Sequence, residues 1–379
     1  MTALRVPFVD LGRQFAAHEK ALTEIFVRVG RGGGYVMGPS VERFEAAAAD
    51  YCGVKYALGV ANGTDALMLI LRALGIGPGD EVITAPNSFI ASAGAIAAVG
   101  ARPAFADVGE DLNLDPGVLE AAITPGTKAI MAVHLTGRPA EMNAINEIAN
   151  AHGIKVIEDA AQAIGASYHG KRVGGLGLAA GFSLHPLKNL NVMGDGGLVT
   201  TDDDGLYETI KRERNHGLID RDTAKNWGLN SRLDALQAEI ALYKLARLDG
   251  WNDRFREIAE RYRKGLSGVV QTPSDQPHEQ AVYHNFVIYA EDRGRLMDYL
   301  AERGVETKVH YPVLLHLQPA AADLGYRAGD FPVAERLASR TMSLPIYPEL
   351  EEQEIDHVIS SIRSFYGVNS VFLRTETVS

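Results

Sequence analysis

Three short stretches of the chain carry side chains whose types and spacing suit chemistry on a carbonyl and a phosphate. In GFSLHPLKNLNVMGDGG, residues 181–197, Lys188 follows Pro186 by two positions, with Ser183 and His185 before it and a glycine pair after. A lysine kept neutral by its surroundings attacks carbonyl carbon and forms a Schiff base, whereas a solvated one is only a charge. In IKVIEDAAQAIGA an apolar run delivers Asp159 and, three residues later, Gln162. A carboxylate in that place is costly to bury unless a cation meets it, and its alternative role is a helix cap. ANGTDAL, residues 61–67, passes from a strand through Asn62, Gly63 and Thr64 into a helix. There a glycine lets the backbone approach a ligand, and first-turn N–H groups with the Thr64 hydroxyl suit a phosphate; the same residues also serve as a plain N-cap. A phosphate anchor, a carboxylate that keeps a ring nitrogen protonated and an amine that holds an aldehyde are together what pyridoxal 5'-phosphate requires.

The elements that must position these groups are legible as apolar runs. YALGV, EVITA, ARPAFADV, KAIMAVHL, IKVIEDA, AAGFSLH and GGLVTT read as strands between about residues 55 and 201. TDALMLILRALG, SFIASAGAIAAV, PGVLEAAI and PAEMNAINEIANAH, lying between several of them, read as helices, and Leu67, Ile70, Leu71 and Leu74 fall on one helical face. Nearly continuous apolar strands separated by helices predict a mainly parallel sheet covered on both faces, an α/β domain. The three stretches then lie at strand carboxyl ends, where open α/β sheets bind ligands.

Toward the C-terminal end the pattern changes. RFREIAERYRKGL, RGRLMDYLAERG and LEEQEIDHVISSIRSFY predict helices, and NFVIYAE and VETKVHY predict strands. The expected organisation is a large domain over residues 1–250, including an N-terminal arm, and a smaller α+β domain over residues 251–379. The two are expected to join in a long helix near ALYKLARLDGWNDRF, and VNSVFLRTETVS is expected to be a loosely held tail.

The bulk composition narrows the function further. At 379 residues the chain exceeds what one core usually organises. A formal net charge of −11 argues against a nucleic-acid or anionic-membrane surface, because phosphate backbones are met by clustered Lys and Arg. The start MTALRVPFVDLGRQF shows no basic segment leading into an apolar core, so no secretory signal is expected. IASAGAIAAV is about half of a membrane span. The single cysteine, Cys52, excludes an intramolecular disulfide framework and a multi-cysteine metal site, and the expected location is cytoplasmic, with no metal.

Through nearly its whole length the chain resembles the DegT-type (StrS-like) nucleotide-sugar aminotransferases, a branch of the fold-type I pyridoxal-phosphate enzymes. The resemblance is carried by VDLGRQ, GPSVERFE, NGTDAL, VIEDAAQAIGASYHGK, FSLHPLKNL, GLNSRLDALQAEI, VHYPVLLH and MSLPIYP, of which IEDAAQ and HPLKN are the specific blocks. It implies a large domain with a mainly parallel seven-stranded sheet and a small C-terminal domain. Lys188 would hold pyridoxal phosphate as a Schiff base and act as the base, Asp159 would pair with the pyridine nitrogen, and Gln162 would bond the phenolic oxygen. Gly63, Thr64, Asp65 and Ser183 would surround the phosphate, and Phe89 would stack on the ring unless it is a core aromatic. Asn230 matches the position that reaches the cofactor phosphate of a neighbouring subunit, implying a homodimer with shared sites; its other reading is a turn residue.

His185 matches a position beside the cofactor, and Tyr311 and His316 match positions near the sugar, each equally readable as a structural polar group. His134 reads as a lesser member of the same wall. The implied reaction moves an amino group from L-glutamate to the keto group of a nucleotide-linked deoxysugar. The alternatives are a keto-cyclitol acceptor, a sugar dehydratase or epimerase on the same scaffold, and a non-catalytic regulator. Dehydrating relatives carry histidine at the lysine position, and here Lys188 is intact.

Overall fold

The computed structural model describes residues 4–368, so the predicted tail lies, from residue 369 onward, outside the described residues. All seven predicted strands form. They are β1 (Tyr56–Val60), β2 (Glu81–Thr84), β3 (Arg102–Phe105), β4 (Thr127–Val133), β5 (Lys155–Asp159), β6 (Ala179–Ser183) and β7 (Gly197–Thr201). They make one sheet in the order β1-β7-β6-β5-β4-β2-β3. β2, β3, β4, β5 and β6 pair in parallel, and β7 runs antiparallel to both β6 and β1. The interior strands are buried along almost their whole length because helices cover both faces, which is why they read as unbroken apolar runs.

Four N-terminal helices bear on the site: α1 (Leu11–Gly32), α2 (Pro39–Cys52), α3 (Gly63–Ala73) and α4 (Ile90–Ala98). In α3 the predicted stripe residues Leu67, Ile70 and Leu71 are buried among Leu58, Val60 and Val199 of the sheet, with Leu74 at the C-cap partly buried. Burying an apolar side chain of this size stabilises by about 1.5–3 kcal/mol, so this stripe fixes how the α3 N-terminus meets the sheet.

The C-terminal part differs from expectation in one strand. β8 (Phe286–Tyr289) forms as predicted, but it pairs antiparallel with β9 (Thr341–Leu344), which lies in the MSLPIYP block. VETKVHY makes only single bridges, Val305 to Val6 and Lys308 to Ser343. Its alternating pattern suits a half-exposed strand, but the segment finds one isolated pairing on each side and remains an extended connection.

The helix Leu248–Gly265 runs straight through residue 250. Its Leu248 packs with Phe44, Leu184 and Leu245, while Phe255, Ile258 and Tyr262 pack with β8, β9 and Val6 of the N-terminal arm. Among the described residues no helix is long and apolar enough to cross a membrane.

Candidate active site

A cleft of about 670 Å³ opens at the carboxyl ends of the parallel strands and gathers most of the predicted residues. β5 supplies its floor. Successive side chains of a strand face opposite sides of a sheet, and β5 ends in two acids that exploit this. Glu158, fully buried, accepts backbone N–H groups of Gly174 at 2.9 Å, Leu176 at 2.8 Å and Gly177 at 2.7 Å, and contacts His134 Nε2 at 3.0 Å. Asp159 faces the cleft, where its Oδ2 accepts from Ser92 Oγ at 2.6 Å and its Oδ1 from the Ala161 N–H at 3.2 Å. Ser92, fully buried on α4, is itself 2.6 Å from Ser88 Oγ. The carboxylate is therefore held in one orientation by a short hydroxyl chain, rather than serving as a plain helix cap.

Lys188 reaches the same cleft from the turn after β6. Its N–H donates to the His185 carbonyl at 2.8 Å, and its own carbonyl accepts from Asn191 Nδ2 at 2.9 Å. Asn191 is in turn held by the buried ammonium of Lys244, which also donates to Gln14 of α1 at 3.1 Å. The Lys188 Nζ lies 3.5 Å from His284 Nε2. Burial lowers the Lys188 amine to a pKa of about 8, against the opposing pull of the Asp159 charge. His284 is held well below the usual imidazole range by burial and by the charges of Lys188, His310 and His185. His310, whose Nδ1 lies 2.9 Å from Ser343 Oγ, is lowered to about 4, first by burial and then by Lys188 and Lys308.

The opposite wall is the start of α3. Asn62 caps the helix, accepting the Asp65 N–H at 2.8 Å, and so plays the cap role while Gly63, Thr64 and Asp65 line the cleft in the first turn. A Cβ on Gly63 would fall 2.8 Å from the Cβ of Ser183, so only glycine lets this helix end approach the end of β6 so closely. The free N–H groups of that turn and the positive end of the helix make an anion cradle.

Phe89, 49% exposed, projects into the cleft as the N-cap residue of α4, with its ring 5.4 Å from that of Tyr311. Gln162 accepts the Thr136 N–H at 2.7 Å and donates to the Tyr311 hydroxyl at 3.1 Å. Burial and the nearby Asp159 charge raise the Tyr311 hydroxyl above its ordinary pKa, which keeps its proton in place. His185 is exposed at the mouth, its Nδ1 accepting the Leu187 N–H at 3.3 Å. The residues present thus fit pyridoxal phosphate: an amine of lowered basicity, a fixed carboxylate, an anion cradle and an aromatic face meet in one space.

Three predicted residues lie elsewhere. His316 is buried outside the cleft lining, 3.1 Å from Glu335 and packed edge-on against Phe331. His134 lies on the Glu158 side of the sheet; its Nδ1 accepts the Ala140 N–H at 3.0 Å, so Nε2 carries the proton it gives Glu158. Asn230 is exposed, bridges Asn215 and does not line the cleft of its own chain. Conversely, sequence reasoning did not single out Ser88, Ser92, His284 or His310. The serines sit four apart where a helix begins, a spacing that puts two hydroxyls close together, whereas nothing local marks His284.

A mainly parallel sheet that brings such an amine and carboxylate together beneath a helix N-terminus defines a fold-type I pyridoxal-phosphate-dependent transferase. The family model for the DegT/DnrJ/EryC1/StrS aminotransferase family matches residues 17–363, and the chain belongs to that family. It is 44% identical over 367 residues to a dTDP-3-amino-3,4,6-trideoxy-alpha-D-glucose transaminase of Streptomyces venezuelae, covering 95% of this chain and 96% of that one. It is 43% identical over 368 residues to a protein of Geobacillus stearothermophilus named pleiotropic regulatory protein, covering 96% and 99% respectively. The crystal structure of S. venezuelae DesV in complex with ketimine intermediate superimposes with a TM-score of 0.93 at 43% identity, covering 96% of this chain and 98% of that one.

Proposed function

We propose that this aminotransferase moves an amino group from L-glutamate to the keto group of a nucleotide-linked deoxysugar, as a cytoplasmic homodimer. The observation that carries this reading is the pairing of Lys188, of lowered basicity, with the fixed Asp159 carboxylate in one cleft. A regulator that only binds a partner has no use for such an amine, and the transaminase relatives named for dTDP-linked sugars support the acceptor class.

Bound pyridoxal phosphate supplies the electron sink and stores the amino group between half-reactions. Lys188 would hold the cofactor through its Nζ and, once freed by the donor, would serve with that neutral Nζ as the general base that takes up the donor α-proton and gives it back. In the second half it works in reverse. Asp159, held in line by Ser92 and Ser88, would keep the ring nitrogen protonated through opposite-charge pairing. Gln162, whose Oε1 is committed to the Thr136 N–H and whose Nε2 donates to the Tyr311 hydroxyl, would offer the remaining Nε2 proton to the phenolic oxygen. Gly63, Thr64, Asp65 and Ser183 would surround the phosphate, Phe89 would cover a ring face, and His185 and Tyr311 would line the path of the substrates.

The dimer is supported by the segment leading to Asn230, on which Ile219 is 60% exposed and Trp227 is 90% exposed. Apolar side chains this exposed suit burial against a second copy, and in such a dimer Asn230 would reach the partner's phosphate.

Steady-state kinetics test the reading. Parallel double-reciprocal lines and one 2-oxoglutarate released per amine transferred are expected. Intersecting lines, or sugar conversion without 2-oxoglutarate, would reject transamination in favour of dehydration or epimerisation.

A further inference from the structure

Behind Lys188, on the side away from Asp159, lies a second and much smaller cavity of about 50 Å³, lined by Lys188, His284, His310, Asn189, Asn285 and Tyr347 among others. Lys188, His284 and His310 also line the main cleft, so they form the wall between the two spaces. The small cavity has a distinctive chemistry. Asn189 Oδ1, Asn285 Nδ2 and the Tyr347 hydroxyl are buried there with no hydrogen-bond partner, although these side chains are 6%, 3% and 3% exposed. Leaving three such groups unpaired costs about 1–3 kcal/mol each, and the cavity lined by these residues has room for ordered water that a small side-chain adjustment would bring to them. Among the described residues the only hydrogen-bonding partner of the His284 ring is Lys188 Nζ, through Nε2, leaving Nδ1 without a protein partner.

We propose that His284 is a proton relay and positioning residue for Lys188, exchanging the protons of its Nζ with ordered water in this cavity. The step balances without a change of oxidation state. The Lys188 ammonium gives a proton to Nε2 as Nδ1–H gives one to a cavity water; the ring remains neutral in its other tautomer, and the reverse transfer resets it. Lys188, His310 and His185 all face this ring, and together with burial they keep it from becoming a cation, so it passes a proton on rather than storing it. The consequence for catalysis rests on the reading of Lys188 as the base: a proton taken from the donor is exchanged with solvent before it is returned.

Two measurements test this. A high-resolution crystal structure of the cofactor-free protein is expected to show water bonded to Asn189, Asn285 or Tyr347 and within hydrogen-bond reach of His284; a dry cavity overturns the relay. In a single half-reaction with α-deuterated L-glutamate, the wild type is expected to lose most of the label to water. His284→Phe and His284→Gln should each retain several-fold more on the cofactor carbon, since neither side chain can take up a proton at one ring nitrogen and release one from the other. Equal retention in all three proteins overturns the proposal. If wild type takes no amino group from glutamate, the functional reading fails while the water measurement still decides the relay.

Discussion

The basicity of Lys188 sets the pH at which the site can be loaded. Because burial lowers its pKa to about 8, the neutral amine grows as pH rises through 8 instead of near the ordinary lysine value of 10.5. The rate at which cofactor-free protein captures pyridoxal phosphate, followed by absorbance, should fall about tenfold per pH unit below 8 and level off above it. Lys188→Ala should still bind the cofactor but lose turnover by about 10²–10⁴-fold or more, as expected for a lost acid–base group. Wild-type rates from that variant would remove Lys188 from the mechanism. Asp159→Ala should cost about 10²–10³-fold in kcat, whereas Gln162→Ala, which loses a neutral hydrogen bond, should cost only about 2- to 10-fold. Equal small losses would return Asp159 to the role of a cap.

That Lys188, Asp159 and Gln162 would meet in one cleft was legible because each follows the end of an apolar strand run. Ser92 was not, since it reads as filler in an apolar helix and meets Asp159 across 67 residues of chain. A contact of that separation exists only once α4 and β5 are packed.

Among the elements, α3 meets β6 in a close fit at the wall of the site. Gly63→Ala would drive a methyl group to 2.8 Å from the Ser183 Cβ, so the helix end must withdraw. The expected result is a stability loss of about 1–3 kcal/mol, read by denaturant unfolding, together with weakened cofactor affinity read by titration. Unchanged affinity would show that the first turn of α3 does not hold the phosphate.

The seven sheet strands could be read from sequence because burial on both faces leaves no polar interruption. The strand assigned to VETKVHY was misplaced because alternation reports which side chains are buried, and not whether a neighbour offers a full ladder. β9, buried at all four positions, was passed over as part of a motif block although it is the true partner of β8.

At the scale of the molecule, the proposal that Asn230 of a second copy completes the site makes a sharp prediction. Lys188→Ala and Asn230→Ala proteins, each inactive or impaired alone, should recover about a quarter of wild-type activity when mixed equally and allowed to exchange subunits, since half the sites in a mixed dimer are intact. No recovery would place Asn230 in its own chain's structure, as a turn residue. The sequence pointed to two units but could not show how firmly they are joined, because apolar periodicity along one helix does not reveal that it serves two clusters.

The helix Leu248–Gly265 does so, with Leu248 in one core and Tyr262 in the other. It works like a dowel shared by two blocks. A protease nick near residue 250 would strip each half of part of its lining, so the halves should not survive as separable fragments, and the chain should be lost to digestion in one step.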